Sequence, residues 1–173
     1  MFSPAPLAAP VAYRDRRKHH RPGHRMAERY TQTFHLSWDD LYRDSRELGR
    51  RIAGVGTFTG LVAIARGGLV PAAIVARELG LRMVDTVCVE SYRGRTRGPV
   101  NILKNVDGDG SGLAVIDDLA DTGKTLAAVR EMLPRAHYAV VYVKPLGRPY
   151  ADTFITEVSQ DTWIAFPWEP SGD

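Results

Sequence analysis

The chain has one cysteine and no long apolar segment, and each of these absences excludes a class of protein. Cys88 cannot form a disulfide framework alone, which is typical of proteins in a reducing compartment, here taken as the cytoplasm. The surrounding sequence MVDTVCV is apolar, so Cys88 is predicted to be a buried core thiol. No apolar run approaches the roughly 20 residues of a membrane-spanning helix, so no such helix is predicted.

Excess positive charge is absent from most of the chain, although the sequence pI is about 9.2. Residues 1–25 carry six Arg or Lys and one acid, a net charge of +5, and the whole chain carries +3, so residues 26–173 carry −2. A domain that binds nucleic acid presents a basic surface. We therefore predict no nucleic-acid binding through the domain itself.

Residues 1–29 lack helical and strand periodicity and are rich in Pro, His and Arg. We expect them to form a disordered basic extension. Their apolar part is short, is interrupted by proline and precedes the charges, unlike a secretory signal peptide. Residues 30–173 are expected to form one domain, long enough to bury a core.

Within that domain, short continuous apolar runs alternate with helical patterns. Ser37 and Asp40 form a sequence capping box for a first helix, and Pro71 and Gly80 suit the start and end of a second. This alternation predicts the α/β class with a central, mostly parallel sheet flanked by helices. The predicted strands are residues 61–65, 83–92, 112–116 and 137–144, and the third predicted helix is 125–133.

The predicted strands end in polar or glycine-rich segments: Arg66-Gly67-Gly68, Asp117-Asp118 and Lys144. In parallel sheets, ligands bind beyond the carboxyl ends of the strands. We therefore expect the chemistry to lie along one edge of the sheet.

The most informative stretch is AVIDDLADTGKTL at 114–126, in which an apolar strand meets three acids and then a Thr-Gly-Lys-Thr turn. A helix N-terminus with glycine and threonine is typical of a phosphate site. Phosphate beside the carboxylates of Asp117 and Asp118 implies a cation, and Mg²⁺ prefers such oxygen ligands.

Two other motifs resemble parts of this region but do not fit it. Gly123-Lys124-Thr125 matches the end of a Walker A loop, but that loop requires glycine where Asp118 stands. Residues 107–118 mimic an EF-hand loop, but a strand follows where a helix is required. Neither an NTPase loop nor a calcium loop is predicted.

The motif at 115–125 is similar to the ribose-phosphate binding motif of type I phosphoribosyltransferases. ARGGLVPA, RELGLRMVDTVCVESY, KPLGRP and QDTWIAFPW together resemble the bacterial xanthine-guanine phosphoribosyltransferases, from about residue 30 to residue 168. The resemblance implies the type I fold over residues 30–173, with a small irregular hood mainly from 145–173. It also implies transfer of the 5-phosphoribosyl group from 5-phosphoribosyl 1-pyrophosphate (PRPP) to N9 of guanine, xanthine or hypoxanthine.

The resemblance also implies the roles of individual residues. Asp117 and Asp118 would hold the ribose hydroxyls and Mg²⁺, with Asp118 as the metal ligand, and Asp121 would act as the catalytic group near purine N7. Lys144 would reach the purine 6-oxo group, Trp163 would cover the ring, and Ile164 would meet its exocyclic edge through the backbone. The residues implied to bind PRPP and its phosphates are Arg66, Gly67, Asp117, Asp118, Leu119, Ala120, Asp121, Thr122, Gly123, Lys124 and Thr125.

The family likeness further implies a homotetramer that associates peripherally with the cytoplasmic face of the inner membrane. Ala65 stands where the family often has serine, and Lys124 where glycine is common. Residues 93–104 are expected to form a mobile loop, in which Arg95, Arg97 or Lys104 closes over pyrophosphate. We also predict a strained cis peptide between Ala65 and Arg66, turning amides toward pyrophosphate.

Two alternatives stay open at this point. A regulatory protein could retain the PRPP site without turnover. Loss of Asp121 or Lys144 would indicate this alternative, but the sequence has both residues. Residues 1–25 could bind RNA independently of the domain, which would be strongly salt-dependent.

Overall fold

A computed structural model of the protein describes residues 30–90 and 100–169. The basic extension, most of the loop expected at 93–104 and the last four residues lie outside these ranges. The predictions about them, including those for Arg95 and Arg97, are therefore untested. In chain order, the elements are β1 (Gln32–His35), α1 (Trp38–Ala53), β2 (Gly60–Ala65), α2 (Leu69–Leu79), β3 (Val84–Glu90), β4 (Asn101–Lys104), β5 (Leu113–Ala120), α3 (Lys124–Met132), β6 (His137–Val143), β7 (Thr153–Glu157) and β8 (Thr162–Ala165).

Six strands form a central sheet in the order β4-β3-β2-β5-β6-β7. All neighbouring pairs in this sheet are parallel except β3 and β4. Helices cover both faces of the sheet, with α1 and α2 in one apolar cluster and α3 in the other. The predicted α/β class with a mostly parallel sheet is confirmed.

The first helix begins where the sequence predicts. Ser37 Oγ accepts the Asp40 N–H at 3.1 Å, and the Asp40 carboxylate accepts the Ser37 N–H at 3.3 Å, which completes the capping box. Leu41, Leu48 and Ile52 are fully buried on one face of α1. Trp38, at the first helical position, is 54% exposed.

The strand before the acids is longer than the sequence predicts. β5 runs on to Ala120, so Asp117 and Asp118 lie within the strand instead of after it. Pairing with β6 extends to this end, because Ala120 is in register with Val143. The acids are therefore held by backbone hydrogen bonds of the sheet.

The prediction of a loop over residues 93–104 is partly wrong, because Asn101–Lys104 forms the antiparallel edge strand β4. Lys104 Nζ binds Asp85 Oδ1 at 2.7 Å and the Thr86 carbonyl at 2.6 Å. This side chain is engaged beside β3 and does not line the cleft described below, so Lys104 is a poor candidate for contact with pyrophosphate.

The segment expected to form the hood is divided between two sheets. β7 joins the central sheet beside β6, whereas β8 pairs in parallel with β1 in a separate two-stranded sheet. Sequence periodicity missed β1, whose four residues are all exposed. In the described part of the chain, no helix is both long and apolar enough to cross a membrane.

Candidate active site

The carboxyl ends of β2, β5 and β6 open into one cleft with a volume of about 1020 Å³. Trp163 and Ile164 of β8 also line this cleft. The cleft brings together most of the site residues predicted from the sequence. These are Arg66, Gly67, Asp117, Asp118, Leu119, Asp121, Thr125, Lys144, Trp163 and Ile164.

Arg66 and Gly67 lie where β2 leaves the sheet, and the peptide bond between Ala65 and Arg66 is cis, as predicted. Arg66 is exposed at the cleft. Gly67 lies directly against the Asp118 carboxylate, and a Cβ atom at this position would collide with that carboxylate. The glycine is therefore required for the loop to approach the acid pair.

Asp117 and Asp118 form an electrostatically unfavourable pair. Burial raises the pKa of Asp117 well above its ordinary value, and the charge of Asp118 raises it further. Burial is also the main cause that raises the pKa of Asp118 to about 6. The Asp118 N–H donates to Asp117 Oδ1 at 2.9 Å, but no ion pair joins either acid to a basic side chain in residues 30–90 and 100–169.

This donor set fits Mg²⁺. The pair offers only carboxylate oxygens, and a bound cation would offset the cost of burying their charges, which is the main cause that raises both pKa values. The described chain has no group of three or more His, Cys, Asp or Glu side chains able to hold a metal. A site with one or two protein carboxylates suits Mg²⁺, which shares its remaining positions with water and phosphate oxygens.

The turn between β5 and α3 provides a helix N-terminus for phosphate. Gly123 caps α3 in the left-handed conformation, with φ of 75°, and no side chain caps the helix. Amide hydrogens at a helix N-terminus attract anions. Of the predicted phosphate loop, Thr125 lines the cleft, whereas Ala120, Thr122, Gly123 and Lys124 are not on its wall.

Asp121 and Lys144 form an ion pair at the end of the cleft nearest β8. Lys144 is 1% exposed, and its Nζ atom is 3.2 Å from Asp121 Oδ1. The same Nζ lies 4.6 Å from the centre of the Tyr30 ring, within the range of a cation–π contact. A buried ammonium needs such partners, and here the partner is the residue implied to be catalytic.

Two further side chains contact Asp121 that the sequence did not single out. Gln160 Nε2 donates to Asp121 Oδ1 at 2.8 Å, and the Tyr30 hydroxyl donates to Asp121 Oδ2 at 3.5 Å. Tyr30 also contacts Trp163, with ring centroids 5.3 Å apart and planes tilted by 58°. Neither residue lies in a predicted element, although Gln160 belongs to the QDTW segment that carries the resemblance.

Trp163 and Ile164 lie on β8 and line the cleft. Ile164 is buried, and Trp163 is half-buried with its ring against Tyr30. Cys88 also lines this cleft from β3 and is half-buried, so the prediction of a core thiol is wrong. Its position near the end of an edge-proximal strand leaves it beside the cleft instead of within the core.

The fold and the site geometry agree with the sequence comparisons. The profile of the phosphoribosyl transferase domain matches residues 37–173. The chain belongs to the phosphoribosyltransferase family. The sequence-based recognition of its xanthine-guanine branch is also confirmed by the relatives, which are similar over most of their lengths.

Two curated relatives illustrate this likeness. The xanthine-guanine phosphoribosyltransferase of Desulfotalea psychrophila is 53% identical over 145 residues, covering 83% of this chain and 91% of that protein. The enzyme of the same name from Nitratidesulfovibrio vulgaris strain Hildenborough is 55% identical over 144 residues, covering 83% of this chain and 88% of that protein.

Solved phosphoribosyltransferases share the fold. The crystal structure of a purine phosphoribosyltransferase from Pyrococcus horikoshii superimposes with a TM-score of 0.71 at 26% identity, covering 82% of this chain and 97% of that one. A xanthine-guanine-hypoxanthine phosphoribosyltransferase from Helicobacter pylori has a TM-score of 0.65 at 23% identity, covering 79% and 92% of the respective chains.

Proposed function

We propose that the protein is a purine salvage enzyme that transfers the 5-phosphoribosyl group from PRPP to N9 of guanine, xanthine or hypoxanthine. The products are the nucleotide, GMP, XMP or IMP, and pyrophosphate. The observation that carries this proposal is that the acid pair, Asp121, Lys144 and Trp163 all line one cleft. The xanthine-guanine relatives support the choice of oxopurines.

In this proposal, Asp117 and Asp118 bind the ribose hydroxyls, and Asp118 is the protein ligand for Mg²⁺. The bond from C1 of the ribose to pyrophosphate breaks with its electron pair leaving on pyrophosphate. Positive charge then develops on the sugar, and the two carboxylates stabilise it. Bound Mg²⁺ would neutralise charge on the leaving group. Arg66 and the backbone at Gly67 would contact pyrophosphate, since arginine forks onto phosphate oxygens.

The new bond forms from N9 of the purine to C1 of the ribose. A purine that carries its proton on N7 has a free electron pair on N9, so the N7 proton must leave as N9 becomes substituted. Asp121 lies beside the base pocket and accepts this proton in the proposal. The residues from Leu119 to Thr125 surround the ribose phosphate in the proposal. Within this loop, the amide hydrogens at the N-terminus of α3 bind the phosphate.

Lys144 selects the base. Its ammonium has only hydrogen-bond donors, so it can donate to an oxygen at position 6 but cannot pair with the amino group of adenine, which is also a donor. Before the base enters, Asp121 and the Tyr30 ring satisfy this buried charge. The base would insert beside these partners, stack on Trp163 and meet the Ile164 backbone at its exocyclic edge.

We propose two further properties from the resemblance alone. The protein is a homotetramer, and it associates peripherally with the cytoplasmic face of the inner membrane. Light scattering of the purified full chain measures the first, and flotation with vesicles of anionic lipid measures the second.

The activity test is the rate of nucleotide formation from each base with PRPP and Mg²⁺, followed by absorbance. We expect turnover with at least one of guanine, xanthine and hypoxanthine, and none with adenine. Chelation of divalent cations should abolish it. PRPP binding without product for any oxopurine would contradict the proposal and favour the regulatory alternative.

A further inference from the structure

The side-chain amide of Gln160 joins three segments around the cleft. Its Nε2 donates to Asp121 Oδ1 at 2.8 Å and lies 3.4 Å from the Asp121 carbonyl oxygen. Its Oε1 accepts the Leu146 N–H at 3.0 Å. Gln160 precedes β8, Asp121 follows β5 and Leu146 follows β6, so one amide connects the proposed catalytic acid to both segments that hold the base.

The orientation of this amide follows from its partners. The Leu146 N–H can only donate, and an ionised Asp121 carboxylate can only accept. Glutamine satisfies both with one planar group, because it carries a donor and an acceptor at the end of the same side chain. A glutamate would keep the bond to Leu146 but would place a second carboxylate against Asp121.

The contacts divide the two oxygens of Asp121 between different tasks. Oδ1 accepts from Gln160 at 2.8 Å and lies 3.2 Å from Lys144 Nζ. Oδ2 has a long contact with the Tyr30 hydroxyl, at 3.5 Å. One oxygen is therefore anchored by two donors, while the other is held weakly and is available to an incoming group.

We propose that Gln160 is a positioning residue for the phosphoribosyl transfer. By anchoring Oδ1, Gln160 fixes the carboxylate plane so that Oδ2 faces the purine. Through its bond to Leu146, it also fixes the position of Asp121 relative to the segment that carries Lys144. The inference rests on the proposed role of Asp121 in the chemical step. Gln160 itself touches no reacting atom, and it acts only through Asp121.

The first test compares Gln160→Met with a matched change elsewhere. Methionine is close to glutamine in shape but removes both hydrogen bonds, so kcat should fall by about 10- to 100-fold, the range for a hydrogen bond to a charged group. KM for PRPP should change by less than about threefold, because ribose and phosphate contacts are untouched. Gln160→Glu should lose as much, since its charge repels Asp121.

The control variant is Gln32→Met. Gln32 lies on β1, in the same two-stranded sheet, and its Nε2 donates to Ser159 Oγ at 2.8 Å on the exposed side. It therefore loses a comparable amide hydrogen bond away from Asp121, and its kcat should stay within about twofold of the wild type. A loss of kcat in Gln32→Met equal to that of Gln160→Met would overturn the proposal, because the loss would then come from a general disturbance of the β1–β8 sheet and not from the contact with Asp121.

A double-mutant cycle distinguishes a positioning role from a merely structural one, because only a residue that acts through Asp121 loses its effect on kcat when Asp121 is removed. If Gln160 acts through Asp121, Gln160→Met should lower kcat in the wild-type background and have no further effect in Asp121→Ala. The same fold-loss in both backgrounds would overturn the inference. A wild-type kcat for Gln160→Met would also overturn it, whatever its melting temperature.

The same experiment separates this inference from the proposed function. If the wild-type chain forms no nucleotide with any oxopurine, both fail. If the wild type is active and Asp121→Ala is not, but Gln160→Met retains full kcat, only the positioning role fails. Melting temperatures of all variants show whether each protein is folded at the assay temperature.

Discussion

The two ends of the cleft treat their acids in opposite ways. Asp117 and Asp118 are neighbouring carboxylates whose pKa values are raised by burial, and no basic side chain in the described ranges pairs with them. Asp121, in contrast, is contacted by Lys144, Gln160 and Tyr30. Among the described residues, no side chain supplies a positive charge to the first end, whereas at the second end Lys144 already pairs with the acid before a base arrives.

This contrast suggests how each end meets its ligand. A cation and the developing positive charge of a ribose would both stabilise these buried carboxylates, so ligand binding and the chemical step depend on the same acid pair. At the other end, the base must compete with partners already in place. Selectivity there depends on whether the ligand replaces those contacts with equally good ones.

The largest expected effect is that of Asp121→Ala. Removal of a proton acceptor should lower kcat by about 10²- to 10⁴-fold, the usual contribution of general base catalysis. KM for PRPP should change much less than kcat, because the substitution keeps the backbone of the phosphate loop and the residues proposed to hold ribose and pyrophosphate. Steady-state kinetics with saturating PRPP measure both constants, and an equal loss in kcat and PRPP affinity would contradict a role in the chemical step.

Lys144→Met should have the next largest effect. The substitution keeps the apolar stem but removes the donor for the 6-oxo group, so kcat/KM for hypoxanthine should fall by about 10- to 150-fold. The matched control is Lys104→Met, which loses an ion pair with Asp85 at 2.7 Å outside the cleft. An equal loss in both variants would contradict base recognition by Lys144 and would revive Lys104 as a ligand contact.

A smaller effect is expected for stability, and it depends on pH. The pKa of Asp118 is about 6 in the folded protein against an ordinary value of 3.8, so the folded state binds protons more tightly than the unfolded chain. The stabilisation from this proton is present at low pH and is lost as the pH rises from about 4 through 6. The free energy of unfolding of Asp118→Asn should therefore exceed that of the wild type by roughly 1–3 kcal/mol at pH 8, and the two should not differ in this way at pH 4.

The control for this measurement is Asp107→Asn, which removes the same charge at an exposed site. Mg²⁺ with PRPP should raise the melting temperature of the wild type at pH 8 and raise that of Asp118→Asn much less. If Asp118→Asn melts below the wild type at both pH values, the acid pair does not destabilise the ligand-free fold.

The elements that carry the site were predictable, because strong local signals mark them. The capping box of α1 and Gly80 at the end of α2 are local sequence patterns that the structure reproduces, and the apolar run before the acids forms a strand as predicted. β1, β4, β7 and β8 were missed, since each has only four or five residues and forms by pairing with another strand. Pairing of this kind leaves no periodic trace in so short a segment.

The contacts of Asp121 could not be predicted for a related reason. Tyr30 and Gln160 are 91 and 39 residues away along the chain, and they reach Asp121 only after β8 has paired with β1. The family motif identifies the acid but carries no information about which side chains hold it. The cis peptide at Ala65–Arg66 could be predicted because it lies inside a recognised motif.

The smallest expected effect concerns Tyr30. Its ring lies against Trp163 and over Lys144, the two groups proposed to bind the purine, so it competes with the base for them. Tyr30→Ala should therefore lower KM for the base by about two- to fivefold, in line with the strength of a cation–π contact. Tyr30→Phe keeps the ring that lies over Lys144 and against Trp163, so its KM should match the wild type. A higher KM in Tyr30→Ala would instead show that Tyr30 contacts the bound purine. The base would then bind beside the Tyr30 ring and would not displace it.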